Sequence, residues 1–211
     1  MTIDATLDRA TVIPVIEIDD AALAVDLAGA LQEGGIDVIE LTLRTEAGLP
    51  ALAAIKQQCP DVVTGMGTVL SVDDADRAMG EGAGFLVSPG ITPSLLAHAA
   101  KENMPLLPGV ATSGELMQVL EHGFTAAKFF PAEAAGGAKY LKAFSGPFAK
   151  VRFCPTGGIS LANMNDYLAL PQVACMGGSW VASRAAINER DWAGITARAA
   201  EALAAYKAVR G

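Results

Sequence analysis

The sequence predicts an α/β fold, one (β/α)8 TIM barrel spanning residues 1–211 as a single domain. Short apolar runs recur at intervals of about 20 to 25 residues, most are followed by an Ala/Leu-rich stretch of helical period, and no Pro/Ser-rich linker breaks the alternation. A doubly wound open sheet is the main alternative, but eight regular units exceed what that fold usually needs.

In chain order the apolar runs place strands at residues 12–16, 38–43, 62–66, 85–88, 105–107, 126–129, 151–154 and 173–176. The helices between them fall at 20–33, 49–59, 72–81, 93–103, 113–122 and 161–169, with a shorter one after Lys139 and a closing one at 191–209. Helix starts support this. Thr92-Pro93 supplies an N-cap followed by proline at the first helical position, and Thr112 with Glu115 has capping-box spacing. Gly34-Gly35, Gly82 and Gly123 are suitable stops.

Composition narrows the function. The 211 residues are 52% hydrophobic and 18% charged, which excludes disorder. Fifteen Lys+Arg against 23 Asp+Glu leave a net charge of −8, a surface that repels nucleic acid and anionic membrane. No apolar run reaches the roughly 18 residues of a membrane span, and the first eight residues lack a signal-peptide pattern, so a cytoplasmic protein is expected. Cys59, Cys154 and Cys175 have no metal-ligand spacing and read as core thiols. His98 and His122 have no partner at ligand spacing, so acid–base chemistry falls to carboxylate, lysine, tyrosine or water.

In a barrel of this kind the site is built where the strands end. The second strand carries Glu40, Thr42 and Arg44 on one face and Ile39, Leu41 and Leu43 on the other. Helices cover the outside, so the polar face must look inward. The sixth strand places Lys128 between small alanines and the aromatics Phe129 and Phe130. Burial disfavours an ammonium ion, and neutral amine is the nucleophile that forms a Schiff base with a ketone. Even-numbered strands share interior layers, so Lys128 and Glu40 can converge, with Glu40 as proton shuttle. A lysine snorkelling from the strand end is the plainer reading.

The last two strands end in Pro155-Thr156-Gly157-Gly158 and Gly177-Gly178-Ser179-Trp180. Gly-rich turns there match the usual phosphate site of barrels, so Gly157, Gly158, Gly178 and Ser179 are its candidates. No Lys or Arg adjoins either turn, which leaves N–H donors and the Ser179 hydroxyl. Arg44 and Thr68 suit a substrate carboxylate. Pro89, Phe130 and Thr156 are further candidate substrate-binding positions, although turn geometry alone explains Pro89.

The chain resembles the 2-keto-3-deoxy-6-phosphogluconate (KDPG) aldolases, which also act as 4-hydroxy-2-oxoglutarate (KHG) aldolases. The likeness rests on Ile13-Pro14-Val15-Ile16, Glu40-Leu41-Thr42-Leu43-Arg44-Thr45, Gly67-Thr68-Val69-Leu70, Ser88-Pro89-Gly90, Lys128-Phe129-Phe130-Pro131-Ala132-Glu133, Arg152-Phe153-Cys154-Pro155-Thr156-Gly157-Gly158-Ile159 and Gly177-Gly178-Ser179-Trp180. It implies a class I aldolase that splits a phosphorylated keto acid into pyruvate and glyceraldehyde 3-phosphate, with Lys128 as Schiff-base lysine and Glu40 as proton shuttle. It also implies Arg44 and Thr68 on the pyruvate carboxylate, no cofactor or metal, and a homotrimer. Met66 departs from the family pattern, which has a small residue there. Open alternatives are the aldolase for the C4-epimeric substrate, a phosphosugar isomerase or epimerase in which Lys128 supplies only charge, and a non-catalytic barrel binding a phosphorylated metabolite.

Overall fold

The computed structural model describes the whole chain, Met1–Gly211. It is an α/β structure whose parallel strands form a curled sheet. Strands β1 (Val12–Ile16), β2 (Val38–Thr42), β3 (Val63–Gly67), β4 (Leu86–Val87) and β5 (Leu106–Leu107) join the later β9 (Met176–Gly178) in a six-stranded sheet of order β5-β4-β3-β2-β1-β9. Strands β6 (Gly109–Val110), β7 (Ala126–Phe129) and β8 (Arg152–Pro155) form a three-stranded sheet. Isolated parallel bridges, Phe153 with Val173 and Thr156 with Gly177, connect β8 to the segment that leads into and contains β9.

Two strand expectations shift. The fifth apolar run, residues 105–107, holds β5, and a further short strand β6 follows beyond Pro108, which has no N–H for a ladder, so the expected sixth strand is β7. The eighth starts later than its apolar run, because Gly177 and Gly178 pair with Ile13 and Pro14 instead of forming a turn. A side chain at Gly177 would lie 2.3 Å from Thr156 Oγ1, so this glycine permits close approach of the two strands.

The helices follow the expected order, from α2 (Ala24–Glu33) through α3 (Gly48–Gln58), α4 (Val72–Gly80), α5 (Pro93–Lys101), α6 (Ser113–Glu121), α7 (Gly137–Ala143) and α8 (Met164–Leu168) to the closing α10 (Trp192–Arg210). Thr92 Oγ1 accepts from Leu95 N–H at 3.2 Å, and Thr112 and Glu115 form a reciprocal capping box. Helices α1 (Ile3–Arg9) and α9 (Arg184–Asn188) have no sequence-level counterpart in the strand–helix repeat.

The two sheet faces bury different groups. Ile39, Leu41, Met66, Leu86 and Phe129 pack with helix residues such as Leu27, Leu52, Leu96 and Ile195 in a cluster of 50 buried residues. On the opposite, inner face Ile13, Val38, Phe85, Leu107, Ala126, Cys154 and Cys175 form a smaller cluster closed from below by Ile3 and Leu7 of α1. Arg152 holds that helix through Asp4 at 3.1 Å and Asp8 at 2.6 Å. Met66 lies on the helix-facing side, in the larger cluster, away from the polar inner face. Cys154 and Cys175 are buried, and a hydrogen bond with Cys154 together with burial pushes the Cys175 thiol up; Cys59 is half-buried against the main core.

Candidate active site

Alternation along β2 and β7 brings Glu40 and Lys128 onto the inner face, just above the apolar cluster. Both are nearly sealed from water, with residue exposures of 3% and 4%. Lys128 Nζ lies 3.4 Å from Glu40 Oε1 and 5.2 Å from the centroid of the Phe130 ring. A buried amine beside one carboxylate and the face of one aromatic ring has its charge balanced locally while remaining close to whatever enters above it. The other six lysines, at 56, 101, 139, 142, 150 and 207, are exposed.

Gly67 makes the placement of Glu40 possible. A Cβ at Gly67 would stand 2.0 Å from Glu40 Oε1 and 2.7 Å from its carboxyl carbon, so only glycine leaves room for the carboxylate. Thr42, two residues on, is also buried, but its hydroxyl donates to Ile16 O at 2.9 Å and ties β2 to β1.

Arg44 lies past the end of β2 and its side chain is 44% exposed. Its Nε donates to Thr68 Oγ1 at 3.1 Å and its Nη1 to Glu17 Oε2 at 3.1 Å. Thr68 follows β3 with φ +60, a left-handed conformation uncommon for a β-branched residue. The sequence pairing of Arg44 with Thr68 therefore has a geometric counterpart, a guanidinium and a hydroxyl at one edge of the mouth. Sequence reasoning missed Glu17, which also accepts from Arg184 at 3.1 Å. The signal was its position directly after β1, equivalent to that of Arg44 near the end of β2. Asp19 completes this cluster; hydrogen bonds from Arg184 and then Asn188 hold its carboxyl down at about 2.

Thr156 is buried at the end of β8, against Gly177. Gly157 and Gly158 follow with φ +101 and +79, backbone that side chains rarely adopt, and Phe130 packs 3.3 Å from the position of a Gly157 Cβ. Phe130 therefore adjoins both Lys128 and the glycine turn. The amides of Gly157, Gly158 and Ile159 donate to no protein acceptor, nor do those of Ser179 and Trp180 on the neighbouring loop. Gly178 differs from the expected turn residue: it ends β9, its φ is not positive, and the Trp180 ring lies where its side chain would be. Ser179 is exposed immediately beyond it. Pro89 borders Gly109, the register partner of Lys128, and a Cβ on Gly109 would come within 2.4 Å of its carbonyl carbon.

A buried lysine paired with a carboxylate at the inner face of a curled parallel sheet, with Phe130 adjoining both the lysine and a glycine turn, is an arrangement suited to an α/β enzyme that acts covalently on a carbonyl compound. Residues 3–198 match the family model described as KDPG and KHG aldolase, and the chain belongs to that family. It is 48% identical over 198 residues to the 2-dehydro-3-deoxy-phosphogluconate aldolase of Dickeya dadantii, covering 94% of this chain and 93% of that protein. With the KHG/KDPG aldolase of Escherichia coli it shares 46% identity over 204 residues, 97% of this chain and 96% of the other. The structure resembles that of KDPG aldolase from Legionella pneumophila, in which pyruvate was captured at low pH as a covalent carbinolamine, with a TM-score of 0.93 and 44% identity over 96% of this chain and 98% of that one.

Proposed function

We propose that the protein is a class I aldolase that cleaves 2-keto-3-deoxy-6-phosphogluconate to pyruvate and glyceraldehyde 3-phosphate, and that it also splits 4-hydroxy-2-oxoglutarate to pyruvate and glyoxylate. The observation that carries this reading is the buried Lys128–Glu40 pair, set in a chain of this family. Lys128 Nζ attacks the C2 ketone, the carbinolamine loses water, and the resulting iminium becomes an electron sink. Glu40 takes the proton from the C4 hydroxyl, the C3–C4 bond breaks, and its electron pair passes to the iminium nitrogen as the aldehyde leaves. The same carboxyl returns a proton to C3 of the enamine, and water then releases pyruvate from the lysine.

Arg44 and Thr68 hold the pyruvate carboxylate, with a guanidinium and a hydroxyl already 3.1 Å apart. The free amides of Gly157, Gly158 and Ile159, with those of Ser179 and Trp180, receive the phosphate. Phe130, Thr156 and Pro89 line the passage between the two ends. We read the two sheets as parts of one eight-stranded barrel, a single domain over residues 1–211; the short β5 and β6 on either side of Pro108 and the isolated bridges Phe153–Val173 and Thr156–Gly177 support that reading. A homotrimer, as the family resemblance implies, and a cytoplasmic location, which suits three cysteines left unpaired, complete the reading.

The test is direct. Incubated with the substrate in EDTA, the enzyme should release pyruvate and glyceraldehyde 3-phosphate in equal amounts and act more slowly on the C4 epimer. Equal rates on both epimers, or products that retain all six carbons, would refute the assignment.

A further inference from the structure

The glycine turn at the end of β8 is held from behind by backbone amides and side chains that have no place in the chemistry. Ala132 N–H donates to Thr156 O at 2.8 Å and Glu133 N–H to Gly157 O at 3.1 Å. Asn163 Nδ2 donates to Gly158 O at 3.0 Å, while its Oδ1 accepts from Ser160 N–H at 2.8 Å. All three carbonyls of Thr156, Gly157 and Gly158 are thus engaged, while the N–H groups of Gly157, Gly158 and Ile159 are left free. Asn163 stands at the N-cap position of α8 yet makes no capping bond to that helix; its amide serves the turn instead.

Glu133 presses against the turn as well. A Cβ on Gly158 would meet its Cγ at 2.7 Å, so the acidic side chain lies directly against the glycine. The Glu133 carboxylate accepts a hydrogen bond from the hydroxyl of Tyr167, a buried residue on α8. Burial and the adjacent Glu133 carboxylate push that phenol well above its ordinary range, which keeps it a donor throughout the working pH range.

We propose that Glu133, Tyr167 and Asn163 form a positioning brace that sets the Gly157–Gly158 turn with its amides pointing at the phosphate of the aldehyde half. The inference rests on the phosphate assignment made above. A phosphate bound chiefly by N–H groups is sensitive to the orientation of each peptide plane, because no mobile cation can follow a displaced anion. Asn163 and the backbone N–H groups of Ala132 and Glu133 hold those planes through their carbonyls, the opposite ends of the same peptide groups, and the Glu133 side chain, tethered by Tyr167, packs against Gly158. Neither Tyr167 nor Asn163 hydrogen-bonds to Lys128, Glu40, Arg44 or Thr68, so the pyruvate end should be indifferent to the brace.

The experiment compares kcat/KM for pyruvate addition to D-glyceraldehyde 3-phosphate with that for unphosphorylated D-glyceraldehyde. Tyr167→Phe and Asn163→Ala should each lower the ratio about 10-fold, mainly through KM for the phosphorylated aldehyde, the loss expected for one hydrogen bond in the brace. Exchange of pyruvate methyl protons should keep its original rate in both variants. Glu133→Gln, which can still accept from Tyr167, should retain most of the preference; Glu133→Ala should lose it, and adding Tyr167→Phe to Glu133→Ala should change nothing more. An unchanged ratio in both folded single variants, or equal losses on the two aldehydes, would overturn the brace. No preference for the phosphorylated aldehyde in the unaltered enzyme would overturn the phosphate assignment and the brace with it.

Discussion

Gly67→Ala should uncouple Glu40, the proposed proton shuttle, from Lys128, the proposed Schiff-base lysine, without altering either residue. The new Cβ would stand 2.0 Å from Glu40 Oε1, whereas ordinary contact begins at 3.4 Å. The carboxylate must therefore retreat by about 1.4 Å, and a displacement of about 1 Å at a reacting group costs about 100-fold in rate. Glu40 Oε1 is already 3.4 Å from Lys128 Nζ, so a retreat away from Gly67 is not taken up by slack in that contact. We expect kcat for KDPG cleavage to fall about 100-fold, equivalent to about 2.7 kcal/mol, measured by coupling released pyruvate to NADH oxidation with lactate dehydrogenase. Stability should fall by about 1–3 kcal/mol from overpacking. Gly65→Ala is the matched control. Its Cβ would strike the Phe85 ring at 2.4 Å, in the apolar floor, so it should lower Tm but leave the kcat of the folded enzyme within a few-fold of the original. A folded Gly67→Ala enzyme with near-normal kcat, or equal kcat losses in the two variants, would refute the claim that this glycine sets the carboxylate.

Glu40→Gln should keep substrate affinity while lowering turnover about 100-fold or more, and should slow exchange of pyruvate methyl protons in deuterated water; normal exchange would assign the proton transfer to another group. Gly158→Val should place a side chain against Glu133 in backbone that valine cannot adopt, so use of phosphorylated aldehyde should collapse while pyruvate still reacts at Lys128; an unchanged preference for phosphorylated substrate would move the phosphate elsewhere. Asp19, held by Arg184 at about 2 against an ordinary 3.8, contributes stability above about pH 4 that is lost as the pH falls through about 2. NMR titration should give that low midpoint, returning toward the ordinary value in Arg184→Ala; an ordinary midpoint in the unaltered protein would contradict the pairing.

The parts of the site that sequence reveals are those in which periodicity forces an unusual residue into an expensive place. Glu40 alternates with Ile39 and Leu41, and Lys128 with Ala127 and Phe129, so once helices cover the outer face both polar groups must look inward, and they do. Arg44 and Thr68 were legible because both follow a strand end. What escaped had weaker local signals. Helix α1 is only seven residues long and is defined by packing, with Ile3 and Leu7 closing the floor and Asp4 and Asp8 on Arg152. Gly177 and Gly178 read as a turn because glycine is a poor strand former; their pairing with β1 depends on the approach of Thr156 and Trp180 from elsewhere in the chain. The same holds for Glu17, Tyr167 and Asn163, whose partners are distant in sequence or are backbone atoms without a sequence signature.

Reductive trapping puts the assignment of the covalent chemistry to Lys128 to a single experiment. Treated with pyruvate and borohydride, the protein should gain one reduced three-carbon adduct, which peptide mass spectrometry should place on Lys128, the one lysine of seven that is buried. Lys128→Ala, verified as folded by circular dichroism, should gain none. An adduct on any of the six exposed lysines in place of Lys128, or full labelling of Lys128→Ala, would contradict the account.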